Sequence, residues 1–350
     1  MLMMLWVNDF AGMSGVPHWL KHAAANEDMM GFSDLVFPAF LFCVGMSIPL
    51  AIEKRIKDTN YLGGILHVLF RSASLVLLGV MTMNMSGIEG GLSHAWFLVI
   101  MVLASFIFFN IKQPSILFRW SGFFIMIALL VYRVIMGAPI KTGWWGILGL
   151  IGWAYLFTSA FYLLARKNLL LNCLAWFGFI ALMILSSKGM LGGFKVPGGF
   201  THPAIVYSGI VCTMLMQKKG FAQNGIILGV FFLIAGIICH SFWIISKIQA
   251  TPTWMFLCCG LYFIIAALLY KLCDVKKITA WARPIQAAGT CTLTCYLLSD
   301  LWYGIVMLTG LNFGPALSTG ALGLLRSFVV ALFLILITEL LSKINIKLRL

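Results

Sequence analysis

Charge is what this chain has least of. Asp, Glu, Lys and Arg together make up 10% of its 350 residues, whereas a soluble domain carries about 25%. That scarcity excludes a water-soluble fold. With 62% hydrophobic residues and a mean hydropathy of +1.02, the chain belongs in lipid. Acidic residues are the scarcest, 10 against 24 Lys and Arg. In a soluble protein the resulting net charge of +14 would point to nucleic acid. Here the basic residues sit in short breaks between apolar runs, so they report topology, and no nucleic-acid partner is expected. No polar stretch is long enough for a separate soluble domain, and a single integral membrane domain over 1–350 is expected.

Other chemistry is missing too. The nine cysteines form no CxxC pair, and no histidine stands at metal-ligand spacing. The cysteines fall inside apolar runs and read as small buried apolar residues, so neither disulfides nor a metal are expected. The N-terminus has no basic lead and no small-residue cleavage site, so its apolar stretch is not a signal peptide. The absence of an internal repeat argues against an inverted-repeat transporter.

What is present is a succession of apolar runs. A spanning helix needs about 20 such residues, and on that template the fold class is all-α, a polytopic transmembrane helix bundle with about 11–12 membrane helices. The segments fall at 1–14, 31–52, 62–84, 93–111, 117–137, 144–165, 168–187, 202–217, 222–246, 252–272, 284–308 and 317–342. The first is short, rising only about 20 Å at 1.5 Å per residue against about 30 Å of hydrocarbon, and its start is expected to be cut short or mis-assigned. Sixteen of the 24 basic residues lie in breaks after even-numbered segments or in the tail, Lys112 and Arg349 among them. Five, including Lys195, lie on the other side, which predicts both termini in the cytoplasm. The glycine-rich break at 188–200 reads as an outer loop.

The polar residues inside this apolar frame are few enough to weigh singly. At 17–52 a loop carrying His18 and His22 runs straight into an apolar helix. Ser33 reads as its N-cap, with Asp34 in the first turn against the positive end of the helix dipole. Pro38, four residues on, leaves the Asp34 carbonyl without its helical partner. A capped, kinked helix start is the ordinary reading of these residues. His67 and Arg71 share one helical face, where Arg71 either pairs within the bundle or binds an anionic group. Thr251 reads as an N-cap with Pro252 at N1. Thr292 and Thr294 read as residues that hydrogen-bond between packed helices. Asp300, ionisable within a membrane segment, is a functional candidate, and Glu339 reads as interfacial.

The run WVNDF, then WLKHA, then SDLVFPAFLFCVGMSI resembles the opening of the heparan-α-glucosaminide N-acetyltransferase family and its bacterial relatives, integral membrane acyltransferases. The resemblance covers 6–52 clearly and 240–300 in patches, through Ser246-Lys247, Asp274-Val275-Lys276 and Gly289 to Tyr296. Cys291 stands where relatives commonly carry asparagine. The resemblance implies transfer of an acetyl group from cytosolic acetyl-CoA to a sugar, an amino sugar above all, on the far side of a bacterial inner membrane. It implies that His22 acts as base or nucleophile, oriented by Asp34 or Asp9, with Asn8 toward the thioester carbonyl. Arg71 and His67 would then meet acetyl-CoA, and Asp9, Lys247, Trp254 and Asp300 the acceptor. Acyl-histidine and direct-transfer routes both fit, the lipid bilayer is a partner, and a homo-oligomer is compatible. A transporter or exporter using His22, Asp34, Arg71 and Asp300 is the rival, and an inactive scaffold a third reading.

Overall fold

The computed structural model describes all residues except 111–114, 144–145, 193–195 and 349. Lys112, Lys195, Arg349, the segment ends expected at 111 and 144 and the middle of the glycine-rich break therefore lie outside the described residues. The described chain is all-α. Among the described residues nine helices are long and apolar enough to cross a bilayer, and the apolar helices His94–Phe109 and Thr201–Met216 are shorter. The protein is integral to a membrane.

The helices are α1 (Leu2–Phe10), α2 (Phe32–Asp58), α3 (Tyr61–Met83), α4 (His94–Phe109), α5 (Ile116–Ile135), α6 (Gly146–Ala165), α7 (Leu169–Ser187), α8 (Thr201–Met216), α9 (Phe221–His240), α10 (Pro252–Leu269), α11 (Gln286–Thr290), α12 (Thr292–Thr309) and α13 (Gly320–Lys343). They pack as two units, each assembled from separate stretches of chain. The first unit comprises 1–17, 77–149 and 280–350, and the second 18–76 and 150–279.

In the second unit α8 is the core. It is buried from Thr201 to Met214 without a polar face, as expected of a helix enclosed by others, and α2, α7, α9 and α10 pack around it. Small residues set the closest approach. A Cβ on Gly45 would collide with the Val206 carbonyl, and one on Gly209 with the Phe42 carbonyl. Without a hydrophobic driving force between helices in lipid, such backbone proximity is what holds membrane helices together. Helix α10 starts as the sequence predicts, with the Thr251 hydroxyl accepting from Trp254 N and Pro252 in the first turn.

In the first unit α1 packs on α13, and α4 lies against α5 and α12. Asp9 on α1 pairs with Arg326 on α13 at 2.7 Å and accepts a hydrogen bond from Tyr303 on α12 at 3.3 Å. Arg133 is buried here and donates to the carbonyls of Asn84 and Ser86. Thr294 accepts from the tail amide of Leu348 at 2.9 Å, an ordinary packing role, and Glu339 pairs one turn along with Lys343 at 2.8 Å.

Two expected segments are interrupted. The one at 284–308 breaks at Cys291, whose φ of −122° and ψ of 44° leave the helix, so α11 and α12 are separate pieces. Pro284, in the 3₁₀ turn that precedes them, has no N–H to carry a regular helix through that stretch. The one at 222–246 stops at His240. The residues that follow form turns closed by local backbone bonds and are tied to the His22 loop by Ile245 N and by the side chains of His240, Ser246 and Gln249. All nine cysteines are free, and Cys43 is exposed while Cys212, Cys258, Cys259, Cys291 and Cys295 are buried.

Candidate active site

The residue that anchors the site is Asp34, and it is 1% exposed. It occupies the third position of α2, two places deeper than the sequence suggests, because the N-cap is Gly31 and not Ser33. Two contacts force this correction. The Lys21 carbonyl lies where a Cβ at position 31 would be, which only glycine permits, and the Ser33 hydroxyl donates to the Leu20 carbonyl. Asp34 takes over the capping. Its Oδ2 accepts from Gly31 N at 3.2 Å and from Ala23 N at 3.0 Å, which satisfies buried backbone donors and fixes the carboxylate plane.

The other carboxylate oxygen faces His22. Oδ1 lies 2.7 Å from Nδ1, a charge-assisted distance. An ionised carboxylate only accepts, so the hydrogen is on Nδ1 and the neutral ring presents its lone pair at Nε2. Nε2 has no partner among the described residues, and the side chain is 40% exposed. Asp34 thus fixes the tautomer, buried on one side of the ring, while the basic nitrogen stays accessible.

Lys247, in the turns between α9 and α10, completes the cluster. Its Nζ is 3.9 Å from Asp34 Oδ1 and 3.2 Å from His22 Nδ1. Nδ1 cannot accept while it donates to Asp34, so Lys247 acts on the pair through its charge and not by a hydrogen bond to the ring. Burial pushes the Lys247 ammonium down from its usual value, and the Asp34 carboxylate opposes that shift.

Behind the site α10 props the start of α2. The Asp34 carbonyl, deprived of a helical donor by Pro38, accepts from the indole N–H of Trp254 at 3.2 Å, and the Leu35 carbonyl accepts from the Tyr262 hydroxyl at 2.6 Å. Trp254 is 0% exposed. Among the residues expected to meet the acceptor, it is placed behind Asp34, where its indole supports the start of α2. In front, the 23–30 loop is clasped to 240–249. Asp28 pairs with His240 at 2.8 Å and accepts from Ile245 N at 2.8 Å. Ser246 and Gln249 both donate to the Ala25 carbonyl. His18 pairs with Glu27 at 3.1 Å.

The other expected residues fall elsewhere. Arg71 in the second unit stacks over the buried Tyr155 ring, 4.9 Å from its centroid, and its Nε is buried with no hydrogen-bond partner among the described residues. His67 Nδ1 lies 3.3 Å from Arg55. Asn8, Asp9 and Asp300 belong to the first unit. Asn8 is exposed, Asp9 is committed to Arg326 and Tyr303, and Asp300 Oδ2 is buried without a partner among the described residues. His94 and His202 bond the carbonyls of Met85 and Gly198, each at 2.7 Å.

The sequence reading missed the Asp28 clasp. The sequence offers only polar residues at 26–28 and at 246, 247 and 249, and no local pattern pairs residues more than 200 positions apart. No protein-family model matches the chain, and no curated protein matches it.

Proposed function

We propose that this protein is a transmembrane acyltransferase of the heparan-α-glucosaminide N-acetyltransferase type, moving an acetyl group from acetyl-CoA to a sugar amine. The observation that carries the reading is the 2.7 Å pair between half-exposed His22 and buried Asp34. A general base needs an accessible nitrogen of fixed tautomer, and the transfer needs little else from the protein beyond positioning and exclusion of water. The acceptor nitrogen attacks the thioester carbonyl, and His22 Nε2 takes its proton. The carbon–sulfur bond then breaks, and the imidazolium returns the proton to the departing CoA sulfur. Asp34 stabilises the imidazolium between those events, by the logic of an orienting carboxylate. Lys247 beside the pair adds positive charge next to Asp34 Oδ1.

Excess basic residues after even-numbered segments support a topology with both termini in the cytoplasm and the His22 loop outside. The donor then comes from the cytoplasmic side, where the Arg71 guanidinium, stacked over Tyr155, supplies positive charge for an anionic group. Incubating purified protein with labelled acetyl-CoA and a panel of amino sugars tests the reading. Transfer by the wild type is expected, and His22→Ala should lower it by at least about 100-fold with the fold intact. Equal transfer by that variant would overturn the assignment. A second reading, transport of a small charged solute, rests on Arg71 Nε and Asp300 Oδ2, buried without a hydrogen-bond partner among the described residues, because ionisable groups within membrane helices mark transport paths. Solute flux without acyl transfer would favour it.

A further inference from the structure

Four helices of the second unit end around a cavity of about 480 Å³ that shares no residue with the His22 cluster. Its lining includes Leu50 and Glu53 near the end of α2, Tyr162 of α6, Lys167 and Leu169 at the α6–α7 turn, and Lys218 beyond α8. Glu53 lies nineteen residues beyond Asp34 on the same helix, about 28 Å at 1.5 Å per residue, roughly one hydrocarbon thickness. The cavity therefore sits at a membrane–water boundary, at the other end of α2 from the candidate active site.

Its polar side is built and carries positive charge. Arg166 adopts a φ of 43°, in the left-handed region that side chains disfavour, and from there its guanidinium grips Glu53 with two hydrogen bonds, of 3.2 and 2.9 Å. The Tyr162 hydroxyl donates to the same carboxylate at 3.5 Å. Glu53 is the one acid in the lining, and this grip leaves it little charge to offer the lysines. Lys167 reaches it only at 3.8 Å and is 80% exposed, and Lys218 forms no ion pair among the described residues. Pro49, Leu50, Leu169 and Met214 make the apolar part of the lining, and Leu50 and the next residue after Leu169, Leu170, stand 60% and 68% exposed. Cationic groups at the boundary with apolar surface running away from them match an amphiphile that carries a phosphate.

We propose that this cavity binds an anionic phospholipid of the surrounding bilayer, with Lys167 and Lys218 on the headgroup phosphate and the acyl chains along the exposed Leu50 and Leu170. The volume lies within the roughly 300–1,000 Å³ of ligand sites, room for a headgroup while the chains stay in the bilayer. Basic pockets between membrane helices take anionic lipid headgroups by this combination of charge and depth. The proposal does not rest on the acyl-transfer reading.

The test is lipid binding to the full-length protein, delipidated in neutral detergent and titrated with phosphatidylglycerol, phosphatidylcholine or glycerol 3-phosphate, with occupancy read by native mass spectrometry. Phosphatidylglycerol should be retained in preference to phosphatidylcholine, and Lys167→Ala with Lys218→Ala should weaken it by about thirty-fold, the size expected for removing two basic residues at an anionic surface. The paired control Lys57→Ala with Lys219→Ala removes two exposed lysines that do not line the cavity and should leave binding unchanged. Equal loss in both pairs would mean diffuse surface attraction and overturn the site. Unaltered binding in the cavity pair would overturn it as well. Glycerol 3-phosphate held as tightly as the lipid would overturn the lipid in favour of a soluble phosphate. All four replaced lysines are exposed, so folding is not at stake, and a thermal melt of each variant checks this.

Discussion

Asp34 performs three tasks at once. It caps α2, holds Ala23 N in the His22 loop and orients the His22 ring. Asp34→Asn separates them. An amide has one acceptor oxygen, so it can keep the backbone donors or face the imidazole with that oxygen, and in neither case does it stabilise an imidazolium. Acyl transfer is expected to fall by at least about tenfold, since part of the base's contribution depends on its orientation. Stability should fall by about 1–3 kcal/mol for the donor left unpaired. Kinetics and melting of the same detergent-solubilised variant check both numbers. Full activity with reduced stability would leave Asp34 as a helix cap alone. Trp254 belongs to the same residue-scale account, because Pro38 frees a buried carbonyl and the indole N–H satisfies it, an obligation any buried polar group carries.

At the scale of elements, the loop ahead of α2 and the turns after α9 form one clasp. The Asp28 carboxyl is held below its usual 3.8 first by the Ile245 N–H and then by His240. Because its folded value is depressed, the carboxylate adds stability to the clasp that is fully present above about pH 4 and is lost as pH falls through the folded value. Protection factors of the amides in 23–30 and 241–250, exchange rates corrected for the intrinsic rate at each pH, should therefore be high at pH 6 and fall below pH 4, while those of α8 stay high. Asp28→Asn should accelerate the loops already at pH 6. Loop protection factors that are the same at both pH values would remove Asp28 from this role. The clasp also brings Lys247 to His22, so its loosening should reach the site.

The proposed reaction has a sidedness that belongs to the whole molecule. A charged nucleotide does not cross hydrocarbon cheaply, so donor and acceptor are expected to approach from opposite faces. In sealed vesicles of known orientation, acetyl-CoA on the cytoplasmic side should acetylate an impermeant amino sugar on the other side. Transfer only when both are on the cytoplasmic side would overturn the topology and the mechanism together.

Membrane insertion, helix number and the approximate ends of most helices were legible in the sequence. Lipid imposes a length and an apolarity that a single run either meets or fails, and caps such as Thr251-Pro252 are local chemistry. The loss of a helical donor at the Asp34 carbonyl was legible too, since it follows from Pro38 alone. Which group restores that hydrogen bond was not, because Trp254 lies 220 residues away. The same holds for Gly31 displacing Ser33 as the cap, for Lys247 beside His22 and for Asp28 against His240. Each depends on which backbone atoms a distant segment brings to the spot. Tertiary structure alone also decided that Asp9 is committed to Arg326 and that α11 and α12 part at Cys291. Pairing and kinking among the few polar groups of a membrane protein are settled by the partners the packing supplies, and no local pattern in the sequence encodes those partners.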